Sequence, residues 1–374
     1  MSDYLTEYKR WLELGSAQER SELAGLDQSE IKERFYTELE FGTAGMRGII
    51  RTGTNGMNER TVARATLGLA EFIKAHGEDA ARRGVVISYD SRFKSREFAE
   101  LTARVLAQAG VKAILYDALR PVPLLSFGVR YFKAFAGVMI TASHNPKEYN
   151  GYKVYGGDGA QLAPEAANEV LSQINRLDYF NIPCAQMEDA QLRGLVITVG
   201  KELDDAYLSF ILPLADMNVI DKQAEKLKFI YTPLHGSGLN SVKSMFNALG
   251  FKNMQLVPEQ CAPDGSFPTV STPNPENADA LQMGIRLADK TGAELVIGTD
   301  PDCDRMGAAV KGRNGEFITL TGNQLGCIML EYRLRSLKSR GLLPKNGVVI
   351  KTIVSTELAR AIANAYGVQL VEVL

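Results

Sequence analysis

The sequence predicts an α/β protein of successive domains, and three observations carry that prediction. Short apolar runs of strand length alternate with longer stretches of helical periodicity. The length, 374 residues, suits two or three domains at roughly 100–200 residues each. The composition, 45% apolar and 23% charged, provides a sizeable core and lies far from disordered or fibrous chains.

Along the chain, Tyr4, Leu5, Tyr8, Trp11 and Leu12 recur at helical spacing ahead of Gly15-Ser16. This predicts a charged amphipathic arm over 1–40, packed on the first domain. A strand at 85–89, a helix at 95–109 and strands at 112–116 and 136–141 then read as βαβ units. Pro183 precedes a stretch of mixed polarity, 184–200, which is the predicted linker. Beyond it the alternation repeats, with strands at 228–232, 253–257 and 293–299 and helices at 240–249 and 276–291. A third unit starts near Phe317, with a helix over 323–339, a strand at 348–352, a helix over 356–366 and a strand at 369–373. The expected domains are therefore 1–190, 200–313 and 317–374.

Charge and cysteine usage exclude several classes. Lys and Arg number 42 against 44 Asp and Glu, a net charge of −2, so no global field recruits nucleic acid or an anionic membrane. Cys184, Cys261, Cys303 and Cys327 are far apart and form no zinc pattern, which fits a reducing compartment. Asp3, Glu7, Lys9, Arg10 and Glu13 interrupt the first residues, so no signal peptide is read there and a cytoplasmic protein is expected. The sequence does not specify an oligomeric state.

Two loops stand where α/β sheets place chemistry, at the carboxyl ends of strands. Thr141-Ala142-Ser143-His144-Asn145-Pro146 follows one apolar strand. Taken alone it reads as a turn, because Ser and Asn-Pro are turn formers. The glycine-rich continuation through Tyr149-Asn150-Gly151-Tyr152-Lys153 permits close backbone approach and adds a cation. Gly298-Thr299-Asp300-Pro301-Asp302-Cys303-Asp304-Arg305 follows a second apolar strand. Carboxylates at alternate residues of an extended segment share one side, so Asp300, Asp302 and Asp304 can converge on a hard cation while Cys303 points away. A solvated acidic turn is the plainer reading, but three such neighbours repel one another unless something positive lies between them. The loop is no EF-hand, since its sixth position is Arg305. Mg²⁺ with few protein ligands takes phosphate and water, which points to phosphoryl chemistry.

Three other segments are weaker. Phe41-Gly42-Thr43-Ala44-Gly45-Met46-Arg47-Gly48 matches neither a dinucleotide fingerprint nor a phosphate loop, yet Arg47 could clamp a phosphate. Tyr89-Asp90-Ser91-Arg92 and Thr232-Pro233-Leu234-His235-Gly236-Ser237-Gly238 sit at equivalent strand ends and could shape the cleft. A structural role is expected for His235 and an exposed position for His76.

Together these motifs resemble the α-D-phosphohexomutase family, in the branch of phosphoglucomutases and phosphopentomutases. The resemblance implies α/β domains of the phosphohexomutase type with mixed sheets. It implies that Ser143 is a phosphoserine, that Asp300, Asp302 and Asp304, with the group on Ser143, hold Mg²⁺, and that Lys153 serves in proton transfer. Arg47, His144 and Arg305 are expected in the same site, with Arg47 and Arg305 meeting the substrate. The implied reaction interconverts sugar 1-phosphate and sugar 6-phosphate, with glucose the expected sugar, primed by a bisphosphate such as glucose 1,6-bisphosphate.

The family's later sugar-binding and phosphate-binding loops have no counterpart in these residues. The expectation is a truncated form, its third domain incomplete and its fourth absent, with little turnover. A phosphopentomutase or phosphomannomutase is the near alternative. A haloacid-dehalogenase-like phosphatase using Asp300, or a non-catalytic sugar-phosphate-binding module, is the distant one.

Overall fold

A computed structural model describes residues 4–43 and 45–374; Met1 to Asp3, and Ala44 of the glycine-rich turn, lie outside the described residues. The strands are β1 (Met46–Ile49), β2 (Val85–Tyr89), β3 (Ala113–Tyr116), β4 (Ala136–Ile140), β5 (Tyr149–Gly156) and β6 (Val196–Val199), then β7 (Phe229–Thr232), β8 (Met254–Leu256), β9 (Leu295–Thr299), β10 (Met306–Lys311), β11 (Phe317–Leu320), β12 (Val348–Thr352) and β13 (Gln369–Val373). The first sheet has the order β1-β5-β4-β2-β3-β6. Its β4, β2, β3 and β6 run parallel, β5 pairs antiparallel with β4, and β1 pairs antiparallel with β5. The second has the order β11-β10-β9-β7-β8, again with a parallel part, β9-β7-β8, to which β10 pairs antiparallel, with β11 antiparallel to β10. Both sheets are mixed, as expected.

Helices cover both faces of the first sheet, which is why β2 and β4 are continuous apolar runs rather than alternating ones. Val85, Ile87, Val138 and Ile140 enter one core with the helices Glu59–Ala75, Ser95–Gln108 and Pro164–Ile174. Val86, Met139 and Tyr155 enter the other, under Val122–Tyr131 and Leu203 of the helix Lys201–Ile211. In the second domain Ile230, Val296 and Ala309 pack with Leu281 and Ala288 of the helix Ala278–Thr291. Phe229, Phe246 and Phe251 form a ring cluster with centroids 4.7–5.7 Å apart.

Three boundaries differ from expectation. Residues 184–200 are not a linker, because they contain the helix Met187–Leu192 and β6, which pairs in parallel with β3. The first domain therefore continues past 190. Phe317–Leu320 pairs with β10 and completes the second sheet instead of opening the third unit. That unit consists of the parallel pair β12-β13 with the helices Gly322–Ser339 and Leu358–Ala365.

The N-terminal arm is three short helices, Tyr4–Leu14, Ala17–Leu23 and Gln28–Phe35, broken at capping boxes headed by Ser16 and Asp27. It packs on the first domain as the sequence implies. Trp11 is fully buried against Phe35, Tyr179 and Phe180, and Arg60 makes a bidentate pair with Glu19. Truncation of Phe35 to Ala should cost about 3–5 kcal/mol, the usual range for a buried Phe. Trp11 is the single tryptophan, so its emission should shift to the red at lower urea in Phe35→Ala than in the wild type. Coincident fluorescence transitions in the two proteins would contradict this account of the arm.

Candidate active site

The serine loop connects β4 to antiparallel β5, and the acidic loop connects β9 to antiparallel β10. Thr141 shapes the first: its Oγ1 accepts the Ser143 amide at 2.8 Å and donates to Asp90 Oδ2 at 2.7 Å. Thr141, not Ser143, thus caps the local backbone, and the Ser143 hydroxyl is left for another partner. Ser143 has φ of 53°, a left-handed conformation costing on the order of 1–3 kcal/mol in a non-glycine residue. Its side chain is aimed across the domain boundary, where Oγ donates to Asp300 Oδ2 at 2.8 Å. His144 Nδ1 lies 3.3 Å from Ser143 Oγ.

The acidic loop converges by a different route from the one the sequence predicts. It is a tight turn, not an extended segment: the Cys303 amide donates to the Asp300 carbonyl at 3.0 Å, and Cys303 itself is left-handed at φ 54°. The turn brings one carboxylate oxygen of each of Asp300, Asp302 and Asp304 within 4.8 Å of the others. Asp300 Oδ1 also accepts the Arg305 amide at 3.1 Å. Cys303 does point away from the cluster, as its thiol lies beside Gly238 and Thr299 and burial pushes it up to about 12.

Lys153, on β5, supplies the facing charge. Its Nζ donates to Asp302 Oδ2 at 3.0 Å and lies 3.8 Å from Asp304 Oδ2, with the side chain only 6% exposed. Burial opposes both charges, yet Lys153 holds Asp302 below the ordinary carboxylate range, and the two carboxylates hold Lys153 above the ordinary amine range. Asp300 has no such partner; burial, then the charge of Asp302, pushes it up to about 9. Asp304 is raised by burial and by Asp302. Burial and the nearby Arg305 and Arg47 depress His144, which leaves its imidazole neutral at pH 7. Asp302 Oδ1 is buried without a hydrogen-bond partner among the described residues. An orphaned carboxylate oxygen among other carboxylates is the donor set a hard divalent cation takes, so the residues fit such an ion.

Arg47 reaches the site from β1, and its Nη1 donates to Asn145 Oδ1 at 3.0 Å. The glycine-rich turn that precedes it must come close to β5: Gly45 has φ of 77°, and a Cβ there would lie 1.9 Å from the Tyr152 carbonyl oxygen. All eight residues singled out in the sequence, Arg47, Ser143, His144, Lys153, Asp300, Asp302, Asp304 and Arg305, thus gather at one interdomain crevice.

Sequence reasoning underweighted the bracing loops. In the first domain the loop after β2 supplies Asp90 and Arg92, which hold the serine loop. In the second, the loop after β7 holds the acidic turn, since the Ser237 amide and hydroxyl both donate to the Pro301 carbonyl, at 2.8 and 2.7 Å. Gly236 packs so tightly there that a Cβ would sit 2.5 Å from Pro301 Cα. His235 is structural, with Nε2 on Thr269 and Nδ1 on the Ala262 carbonyl. His76 is exposed at a helix end. Across the boundary, the Val122 amide donates to the Asp302 carbonyl at 2.9 Å.

The comparisons with known proteins agree with this architecture. The description "Phosphoglucomutase/phosphomannomutase, alpha/beta/alpha domain I" matches residues 38–180, and that of domain II matches residues 205–315. A phosphoglucomutase of Staphylococcus epidermidis is 39% identical over 348 residues, which are 92% of this chain and 61% of that protein. The chain therefore spans about three fifths of the relative it matches. Among solved structures, a candidate phosphomannomutase of Thermus thermophilus superposes with a TM-score of 0.70 at 23% identity, covering 90% of this chain and 69% of that one. The open form of parafusin, a phosphoglucomutase from Paramecium, gives 0.67 at 18% identity, covering 90% and 63%. No described helix is long and apolar enough to cross a membrane. The chain belongs to the phosphoglucomutase/phosphomannomutase family and carries its first two α/β/α domains.

Proposed function

We propose that this chain carries the phosphoryl-transfer centre of a sugar-phosphate mutase acting on glucose phosphates, with Ser143 as the phosphoryl carrier. The observation that supports this most directly is the Ser143 hydroxyl, buried and 2.8 Å from Asp300 beside two further carboxylates and Lys153. In the forward half-reaction the Oγ–P bond of phosphoserine breaks as a P–O bond forms to a sugar hydroxyl. The proton that the hydroxyl loses replaces the one Ser143 Oγ gains, and in this reading charged Lys153 is the relay, giving a proton to Oγ as it recovers one from the sugar hydroxyl. The resulting bisphosphate turns over, and its other phosphate returns to Ser143, so that the net change is isomerisation. Loading the serine initially requires a bisphosphate such as glucose 1,6-bisphosphate.

Phosphoryl transfer depends chiefly on positioning and neutralisation of charge. Asp300, Asp302 and Asp304 are the residues that would hold Mg²⁺, with an oxygen of the group on Ser143. Mg²⁺ bound there supplies Lewis-acid neutralisation of the phosphoryl oxygens. Arg47 and Arg305 meet the substrate phosphate, and neutral His144 stands beside Oγ. The four free cysteines fit a cytoplasmic setting.

Ser143→Ala should leave the fold intact and abolish phosphoenzyme formation. After incubation with glucose 1,6-bisphosphate, intact mass should show one phosphoryl adduct on the wild type, mapped to Ser143, and none on the variant. An adduct on Asp300 would instead support a phosphatase of the aspartyl type.

The cluster makes stability depend on metal and pH. Asp300 binds a proton in the folded state between about 3.9, its unfolded value, and about 9, so its contribution is present at low pH and lost as pH rises. Without Mg²⁺ the melting temperature should fall from pH 6 to pH 9, a range that lies between roughly the unfolded and the folded values, and should level off above it. Saturating Mg²⁺ should remove most of this slope. In Asp302→Asn the Mg²⁺-induced rise should be largely lost, because one anionic ligand of three is neutralised. An equal rise in wild type and variant would refute the metal assignment.

A further inference from the structure

Arg92 lies immediately beyond β2, with its side chain fully buried. Its guanidinium spends all four terminal N–H groups on carbonyls of the serine loop and its exit. Nη2 donates to Ser143 at 2.6 Å and Asn145 at 2.5 Å, and Nη1 to Pro146 at 2.8 Å and Tyr149 at 3.1 Å. A buried cation needs a counter-charge. Asp90 provides it, with Oδ2 3.4 Å from Arg92 Nε. The same carboxylate accepts from the Arg92 amide, from Ser95 Oγ and from Thr141 Oγ1. The pair therefore grips the serine loop at both ends: Asp90 through Thr141 ahead of Ser143, and Arg92 through the carbonyls from Ser143 onward.

A left-handed serine persists only where its surroundings over-determine it. The second domain adds the last constraint. Phe267 places its ring 5.1 Å from the guanidinium carbon, and Gly265 packs so closely on Arg92 and Phe93 that a Cβ there would meet the Phe93 amide nitrogen at 2.6 Å.

We infer that Arg92 is the positioning residue of the phosphoryl carrier: it fixes the left-handed turn that aims Ser143 Oγ at Asp300, and Phe267 ties that setting to the docked second domain. Its side-chain hydrogen bonds to the described serine loop go to carbonyls, so it acts through the backbone and is not a catalytic residue. Only a planar, multi-donor cation can serve four carbonyls at once; lysine has three donors on one point and cannot. The inference rests on the phosphoserine reading.

The test compares wild type, Arg92→Lys, Arg92→Ala and Phe267→Ala. It measures the rate of Ser143 phosphorylation by glucose 1,6-bisphosphate, and amide hydrogen exchange over residues 141–149. In Arg92→Lys the rate should fall about 100-fold, as expected for a reacting atom displaced by roughly 1 Å, while exchange in the loop accelerates. Added guanidinium should restore part of the rate in Arg92→Ala, which a merely structural lesion would not allow. Phe267→Ala, which alters no residue of the first domain and removes only a ring packed on Arg92, should change both readouts in the same direction and by less. A rate in Arg92→Lys within a few-fold of wild type overturns the inference, as does loss without rescue and with loop exchange unchanged. If the Arg92 variants fail to fold, an unaltered rate and unaltered exchange in Phe267→Ala overturn it. A wild type that takes no phosphoryl group on Ser143 overturns the phosphoserine reading instead, and the exchange comparison still decides whether Arg92 holds the loop.

Discussion

Three carboxylates crowded within 4.8 Å of one another repel, and burial makes each charge costlier still. Much of the site's layout answers that constraint. Lys153 comes from the other domain to face Asp302 and Asp304, and Asp300 is pushed towards its protonated form. Arg47 and Arg305 stand close enough to shift Asp304 and His144. A divalent cation relieves the repulsion, and a phosphoryl group brings back negative charge for that cation to neutralise. In the proposed chemistry, then, the charge that makes the bare cluster unfavourable is what makes it selective for a metal and a phosphate together.

The two domains meet this demand with one design. Each has a parallel strand followed by a functional loop and an antiparallel return strand: β4, Ser143 and β5 in the first, β9, the acidic turn and β10 in the second. Each functional loop is held by the loop after the neighbouring parallel strand, Asp90-Arg92 beyond β2 and Gly236-Ser237 beyond β7. Rigidity is thereby placed beneath the reacting groups, where hydrogen bonds to carbonyls fix a strained backbone more firmly than contacts at an exposed loop tip. The bond from Val122 to the Asp302 carbonyl and the packing of Phe267 on Arg92 couple the two halves. Neither half of the crevice is complete without the other.

What the sequence made legible follows from the range of the signals involved. Apolar runs such as Val85–Tyr89 and Leu295–Thr299 announce buried strands, and the loops that follow them announce the cleft, because both depend on neighbours in sequence. Ser143 and the three aspartates stand out that way, whereas Arg47, on a weak glycine-rich turn, and the roles of all eight residues came only with the family resemblance. The shape of the acidic loop was not legible, since alternation in an extended segment and a tight turn through a left-handed Cys303 place the same three carboxylates together. Strand β6 was hidden too. Of its residues 196–199 only Val196 is buried, and its assignment to the first sheet comes from pairing with β3, some eighty residues earlier. Phe267 belongs to no motif, and its significance exists only once the second domain lies on Arg92. The burial of Ser143, with its hydroxyl on Asp300 of the second domain, is likewise beyond any signal local in sequence.

The central claim is that Ser143 and the acidic turn form one phosphate-and-metal site across the domain boundary. Isothermal titration of Mg²⁺ into the unmodified protein and into protein phosphorylated on Ser143 tests it most directly. If phosphate and metal share the site, each must raise affinity for the other by the same factor. The account predicts Mg²⁺ binding tighter by about tenfold or more in the phosphorylated form, within the usual range of coupled sites. Equal affinity in the two forms would mean that the serine and the carboxylates, though 2.8 Å apart, do not work on the same group.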